Sequence, residues 1–155
     1  MKGNPRIIEQ LNARLSEELT AISQYMVHSE MCANWLYTKL HEVNEKRAID
    51  EMKHAEKLIA RILFLEGRPV VSELGKIEIG ADVPAQLTND CASEVGAVKI
   101  YNETIRLAVE LGDNGTRELL ESILKDEEEH LDWLEAQLEQ IGQLGLPVYL
   151  SEQLS

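Results

Sequence analysis

The sequence predicts an all-α protein: a four-helix bundle of two hairpins joined by one long crossover loop, with a short fifth helix at the C-terminus. Three observations predict it. Apolar residues recur at three- and four-residue steps over four long stretches. Two short stretches, Asp50-Glu51-Met52-Lys53-His54 and Asp126-Glu127-Glu128-Glu129-His130, each set a Glu and a His three residues apart, on one helix face. They lie 76 residues apart, and the same offset pairs Leu11 with Leu87, Glu18 with Glu94, Ala21 with Ala97, Tyr25 with Tyr101, and Leu58 with Leu134, so the chain reads as a diverged duplicate. Between the halves, residues 66–82 carry three Gly and one Pro, more than a hairpin turn needs.

The first helix is expected over about residues 5–34, opened by Asn4-Pro5 and carrying Ile7, Leu11, Leu15, Glu18, Ile22 and Tyr25 on or beside one stripe. The second spans about 39–65, with Leu40, Glu51, His54, Leu58 and Ile62 inward. A second apolar set on it, Ile49, Met52, Ile59 and Leu63, lies about 100° round from the first and is expected to meet another subunit. Glu18 precedes Glu51 by 33 residues and Glu94 precedes Glu127 by 33, which puts the hairpin turns near Asn34 and near Glu110-Leu111. The second turn is assigned to Gly112-Asp113-Asn114-Gly115. Extended, the segment between the hairpins reaches about 55 Å against about 42 Å for a helix of about 28 residues, so it is read as a crossover running the length of the bundle. Asp82-Val83-Pro84 starts the third helix, about 83–111, with Leu87, Glu94, Val98 and Tyr101 inward. Thr116 is expected to cap the fourth, about 116–142, which carries Leu120, Ile123, Glu127, His130 and Leu134 and stops at Gly142 and Gly145. The short fifth helix, 147–152 after Pro147, is expected to find little to pack on inside the bundle and to serve a subunit contact.

The chain of 155 residues, 44% hydrophobic and 28% charged, fits one soluble domain with a full core. One Phe, four Pro and few β-branched runs favour helix over sheet. The net charge of -13, with no concentrated basic face, argues against nucleic acid and suits a surface that attracts cations. No membrane-spanning run and no signal core follow Met1, and a cytoplasmic protein is expected. Cys32 and Cys91 are read as free thiols, because the offset does not relate them. His28 and His41, which lack the offset partners of the other two histidines, are expected at the surface. Asp50, Asp126 and Glu129 are read as a solvated face flanking the site or lining its approach.

The bundle brings Glu18, Glu51, His54, Glu94, Glu127 and His130 to one level. Four carboxylates in a dry core repel one another unless cations are present, and two divalent metals balance four negative charges. Imidazole with carboxylate suits iron or manganese, with zinc as a competitor. A Glu from each of two helices and Glu-x-x-His from the other two is the established pattern of ferritin-like di-metal bundles, recovered here from spacing. Pseudo-symmetry gives each metal one His and one terminal carboxylate, with two carboxylates bridging.

On these six residues, Tyr25, the opening Met1-Lys2-Gly3, the block Ile49 to Ala55, the run Arg61 to Gly67, and Asp126-Glu127-Glu128 with Asp132-Trp133-Leu134-Glu135, the chain resembles the bacterioferritins over essentially its full length. The second Glu-x-x-His favours that haem-containing branch over non-haem ferritins. The resemblance implies a hollow homo-oligomer of about 24 subunits built from dimers, which oxidises Fe(II) with oxygen or peroxide and stores ferric mineral. It implies that Glu18 and His54 hold one iron, Glu94 and His130 the other, and that Glu51 and Glu127 bridge. Tyr25 then supplies an electron or a hydrogen bond, unless it is an ordinary core tyrosine, as its repeat at Tyr101 allows. Met52, whose counterpart is Glu128, would by itself be a packing residue; the resemblance makes it an axial ligand to a b-type haem shared across two subunits. A reductase or ferredoxin-like donor would empty the store. Two other readings compete: a different di-metal enzyme that turns over substrate without storing mineral, and a non-enzymatic haem carrier or structural assembly.

Overall fold

The computed structural model describes residues 1–155. The helices are α1 (Pro5–Asn34), α2 (Thr38–Phe64), α3 (Val83–Glu110), α4 (Asn114–Leu144) and α5 (Leu146–Ser151). There is no strand. Helices α1 and α2 make one antiparallel hairpin, α3 and α4 the other, and α5 folds back on the end of α4.

Capping residues set most of the boundaries. Asn4 accepts the Arg6 N–H at 2.9 Å with Pro5 behind it, and Asp82 accepts the Ala85 N–H at 2.9 Å. The start of α4 corrects an expectation: Thr116 is not the cap. The chain reverses over Leu111–Asp113 with Gly112 at φ 70°, and Asn114 and Gly115 are already helical. Asp113 caps instead, accepting the Thr116 N–H at 3.0 Å and the Thr116 hydroxyl at 2.6 Å. Its carboxylate also accepts from Arg61 of α2 at 2.9 Å, a third bond that a hydroxyl cap could not have gathered. At its far end α4 runs through Gly142 and stops only at Gly145, at φ 79°. The turn between α1 and α2 holds Leu36 at φ 64°, in the left-handed region that glycine ordinarily fills, so the sequence carries no glycine to mark the turn.

Helix α5 corrects a second expectation, since the bundle does offer it a seat. Tyr149 is buried with Cys32, Leu40, Val83, Leu87 and Leu134, and its hydroxyl donates to Gln137 Oε1 at 2.7 Å. These residues plug one end of the bundle. Ile7, Leu11, Leu15, Leu58, Ile62, Leu120 and Ile123 belong to the cluster that fills the other. Between the two apolar plugs, each long helix contributes acids or histidines, so the polar band is sealed along the axis from both sides.

The crossover, residues 65–82, runs beside α1 from one end of the bundle to the other, held by a polar stripe at every fourth residue of that helix. Asn12 donates to Arg68 O at 3.1 Å and accepts from Val70 N–H at 2.8 Å. Ser16 donates to Glu73 O, Thr20 accepts from Gly75 N–H, Gln24 accepts from Glu78 N–H, and His28 Nε2 accepts from Gly80 N–H at 3.0 Å. A loop without internal secondary structure thereby satisfies its backbone on side chains. Gly80 is needed for close approach, because a Cβ there would fall 2.2 Å from Gln86 N.

His28 is therefore not a surface residue. It is fully buried, with Nδ1 3.0 Å from Asp90 Oδ1 and Nε2 on Gly80. His41 is half-buried rather than exposed, its Nδ1 lying 2.9 Å from Ser29 Oγ. In both cases the histidine is drawn in by a polar partner distant in sequence, which the 76-residue offset does not register. Cys32 and Cys91 are free, the first buried and the second partly exposed. No helix is long and apolar enough to cross a membrane.

Candidate metal centre

Glu18 comes from α1, Glu51 and His54 from α2, Glu94 from α3, and Glu127 and His130 from α4, and all six side chains are buried. The three-residue spacing puts both members of each Glu-x-x-His pair on the inward face of their helix. His54 Nδ1 lies 2.9 Å from Glu127 Oε1, 3.4 Å from Glu51 Oε1 and 3.6 Å from Glu18 Oε2. His130 Nδ1 lies 3.3 Å from Glu51 Oε1 and 3.5 Å from Glu94 Oε1.

Seven atoms in this band are buried without a well-formed hydrogen bond, although the two imidazole nitrogens lie at ion-pair distance from the carboxylates: Glu18 Oε2, Glu51 Oε1, His54 Nδ1, Glu94 Oε2, both carboxylate oxygens of Glu127, and His130 Nδ1. A fold does not bury this many unmatched donors and acceptors without a ligand for them. The atoms fall into two sets, Glu18, Glu51, His54 and Glu127 in one and Glu51, Glu94, Glu127 and His130 in the other, each within 4.8 Å of one another. Glu51 and Glu127 belong to both. This is a donor set of carboxylate oxygens and imidazole nitrogens that fits a pair of hard or borderline divalent cations.

The outer nitrogens are anchored crosswise. Asp126 of α4 lies 2.8 Å from His54 Nε2 of α2, and Asp50 of α2 lies 3.1 Å from His130 Nε2 of α4. Each aspartate can accept a hydrogen bond from Nε2 and so orients the ring with Nδ1 facing inward, the nitrogen that would hold a cation. Reading Asp50 and Asp126 as a solvated face missed this, although the offset that relates them was the available signal. Glu129 stays exposed and lines, with Asp50, Asp126 and His130, a cavity of ≈ 360 Å³ beside the band. A larger cavity, ≈ 470 Å³, opens between α1 and α3 onto Glu18, Glu51, Glu94 and Glu127.

Two buried tyrosines finish the arrangement symmetrically. The Tyr25 hydroxyl donates to Glu94 Oε1 and the Tyr101 hydroxyl to Glu18 Oε1, both at 2.5 Å. Each terminal glutamate thus has one oxygen occupied and the other unpartnered. Met52 lies elsewhere, on the outward face of α2, 45% exposed beside the likewise exposed Ile49.

The buried acids and imidazoles shift one another's proton affinities. Burial opposes a charge on His54, but the carboxylates of Glu127, Glu18 and Glu51 outweigh it and raise the imidazole well above its ordinary range. His130 is raised in the same way, by Glu94 above all against burial. Burial, followed by Glu18, pushes the Glu51 carboxyl up, and burial, followed by Glu94, pushes up Glu127. Glu94 goes the other way: against burial, its close neighbours Glu127 and His130 hold it down at about 2.

A four-helix bundle whose core carries four carboxylates and two imidazoles, with both Glu-x-x-His pairs facing each other, belongs to the ferritin-like class of metal-carboxylate bundles. Residues 8–144 match the family model for the ferritin-like domain. The chain is 43% identical over 145 residues to the bacterioferritin of Rhodobacter capsulatus, covering 94% of this chain and 90% of that one. It is 40% identical over 155 residues to the bacterioferritin of Mycobacterium leprae, covering 100% of this chain and 98% of the other, and 39% identical over 145 residues to that of Brucella melitensis, covering 94% and 90%. The chain belongs to the bacterioferritin family.

Proposed function

We propose that this protein stores iron, oxidising Fe(II) at the buried band and holding the ferric product inside a hollow homo-oligomer. The observation that carries the reading is the seven unpartnered donor atoms, split into two sets that share Glu51 and Glu127. On this reading Glu18 and His54 would hold one Fe(II) and Glu94 and His130 the other, with Glu51 and Glu127, which belong to both donor sets, serving both. Two Fe(II) give up two electrons, and one O2 takes these with two protons to form hydrogen peroxide; peroxide itself serves as oxidant by accepting two more electrons and two protons to give water. A cation entering the band would displace protons from His54, His130, Glu51 and Glu127, whose proton affinities are raised in the metal-free fold. Tyr25 and Tyr101 keep Glu94 and Glu18 from turning both oxygens to a metal.

Assembly follows from the surface that the single chain leaves bare. Ile49, Met52, Leu63 and Phe64 are exposed along α2, with Val71 and Leu74 of the crossover also exposed, and a second copy of the chain would cover them. We assign the pairing to dimers that build a shell of about 24 subunits. Met52 of each paired subunit would hold a b-type haem between them, since a soft thioether on an apolar face suits haem iron, and the haem would supply a relay for electrons that release stored iron.

The test is anaerobic Fe(II) titration of the metal-free protein followed by oxygen or peroxide, with particle mass recorded throughout. Two Fe(II) bound per chain, oxidised quickly and followed by hundreds more per particle, is the expected result. Two bound and no further uptake in a small oligomer would move the function to a di-iron enzyme. Glu18→Ala is expected to lose rapid oxidation with the assembly intact.

A further inference from the structure

Arg47 is buried, 3% exposed, at a position whose offset counterpart is Ile123. Its guanidinium carbon lies 4.0 Å from the centroid of the Tyr25 ring and 5.9 Å from that of Trp133. Nη1 donates to Asn44 Oδ1 at 3.2 Å, and Nη2 lies 3.3 Å from Asp90 Oδ2. Asp90 accepts in turn from Gln24 at 2.8 Å and lies 3.0 Å from His28 Nδ1, and His28 Nε2 accepts from the Gly80 N–H of the crossover. Tyr25 passes this constraint on through its hydroxyl to Glu94.

The other hairpin repeats the ligands without the clamp. Tyr101 makes the equivalent bond to Glu18, but no guanidinium covers its ring. Arg14, which stands where the duplicate has Asp90, turns instead to Glu17 and Thr104. The two halves of the band are alike in their metal-facing atoms and differ in what holds the tyrosine.

We propose that Arg47 is a positioning residue for the Glu94 half of the band: lying on the Tyr25 ring, it keeps the hydroxyl on Glu94 Oε1 and leaves Oε2 alone to face a metal. The inference rests on the metal-site reading above. A cation held by a buried carboxylate and stacked on an aromatic face has little freedom, and it denies the ring the rotation that would release its hydroxyl. Without it, Glu94 is free to chelate with both oxygens or to swing away, so the cation on that side is held less well. The Glu18 half keeps its own tyrosine and does not change.

The experiment is anaerobic Co(II) titration of the metal-free full-length protein, read by calorimetry and by visible absorption; the binding step abolished in His130→Ala marks the Glu94 half. In Arg47→Met combined with Asp90→Asn, which removes both buried charges together, that step is expected to weaken about tenfold, the usual scale for losing an outer-sphere support, while the other step stays as in the wild type. Tyr25→Phe is expected to give the same selective loss, and adding it to the Arg47 variant to cost no more, because both act through one bond. If both steps are unchanged, if both weaken alike, or if the Tyr25 and Arg47 effects add, the proposal is overturned. Should the paired variant fail to fold, Arg47→Lys decides, since it keeps the charge and loses the planar stack: selective weakening of the marked step supports the proposal and two wild-type steps overturn it. A wild-type chain that binds no pair of Co(II) ions overturns the metal-site reading and this inference together, whereas two normal steps in both wild type and variants overturn this inference alone.

Discussion

At the scale of single residues, the buried band of acids and imidazoles couples protonation to stability with a definite sign. His54 and His130 bind protons more tightly in the fold than in the unfolded chain, so what they contribute is complete below about pH 6.5 and is lost as pH rises through their raised folded values. Glu51 and Glu127, raised by burial, act in the same direction from about pH 4.3 upward. Glu94, held at about 2, contributes above the ordinary carboxylate range and loses that contribution only in strong acid. The metal-free protein should therefore unfold at a lower temperature at about pH 8 than at about pH 5.5, a trend that calorimetry with a chelator present would reveal. Adding a divalent cation should reverse the trend, because protons and cations compete for the same atoms and affinity rises with pH. The aspartates behind the imidazoles belong to the same scale. Asp126→Ala frees His54 Nε2 and should weaken metal binding about ten- to a hundredfold while helix content by circular dichroism stays unchanged. A trend of rising stability with pH in the metal-free protein would contradict the first prediction.

Among the helices and turns, three kinds of device fix the frame. Asp113 joins the cap of α4 to Arg61 of α2, so Asp113→Ala should cost about 1–2 kcal/mol in denaturant unfolding. Its carboxyl is held below the usual range, against its burial, by the Thr116 bonds and Arg61, so the difference between wild type and variant should persist at neutral pH and fade as pH falls below about 3.9. Leu36 sits in the left-handed region at 72% exposure, and Leu36→Gly should stabilise the α1–α2 turn by up to about 1 kcal/mol, the steric relief being offset in part by the greater freedom of the unfolded chain. The crossover depends on side-chain bonds rather than a ladder of its own. Asn12→Ala removes two of them at the end near Arg68 and should speed amide exchange at Val70 without altering exchange in the helices.

For the whole molecule, the long helices place two apolar plugs around one polar band, and the band then needs a ligand from outside the chain. Saturating divalent metal at about 100 times its dissociation constant should add about 2.7 kcal/mol per site, visible as a rise in the unfolding midpoint that Glu127→Ala removes. The apolar outer face of α2 belongs to this scale as well. If Met52 binds haem between two subunits, Met52→Ala in haem-reconstituted protein should abolish the Soret band and leave Fe(II) oxidation in place, because Met52 lies outside the buried band. A Soret band that survives the substitution would remove haem from the reading.

Much of this frame was legible in the sequence because it is written in local periodicity. Four apolar stripes, the Asn4-Pro5 and Asp82 starts, the long crossover and the six inward acids and imidazoles all follow from spacing along a helix and from the 76-residue repeat, and a helix fixes which residues share a face before any packing occurs. The family resemblance then added what oxidation, storage and haem would mean for those residues. Other features depended on partners far apart in sequence. His28 is buried because Asp90 and Gly80 meet it in space, Asp50 and Asp126 reach across to each other's histidine, α5 finds a seat among Cys32, Leu40 and Leu87, and Arg47 lies on one tyrosine and not on its twin. A repeat reports what two halves share and is silent about where they differ. The sequence by itself determined the helices, their inward faces and the chemistry gathered at one level. Only the tertiary structure decided which polar groups are matched, which are left without a hydrogen bond, and how the halves differ, because hydrogen bonds and burial depend on distances between elements that no local pattern encodes.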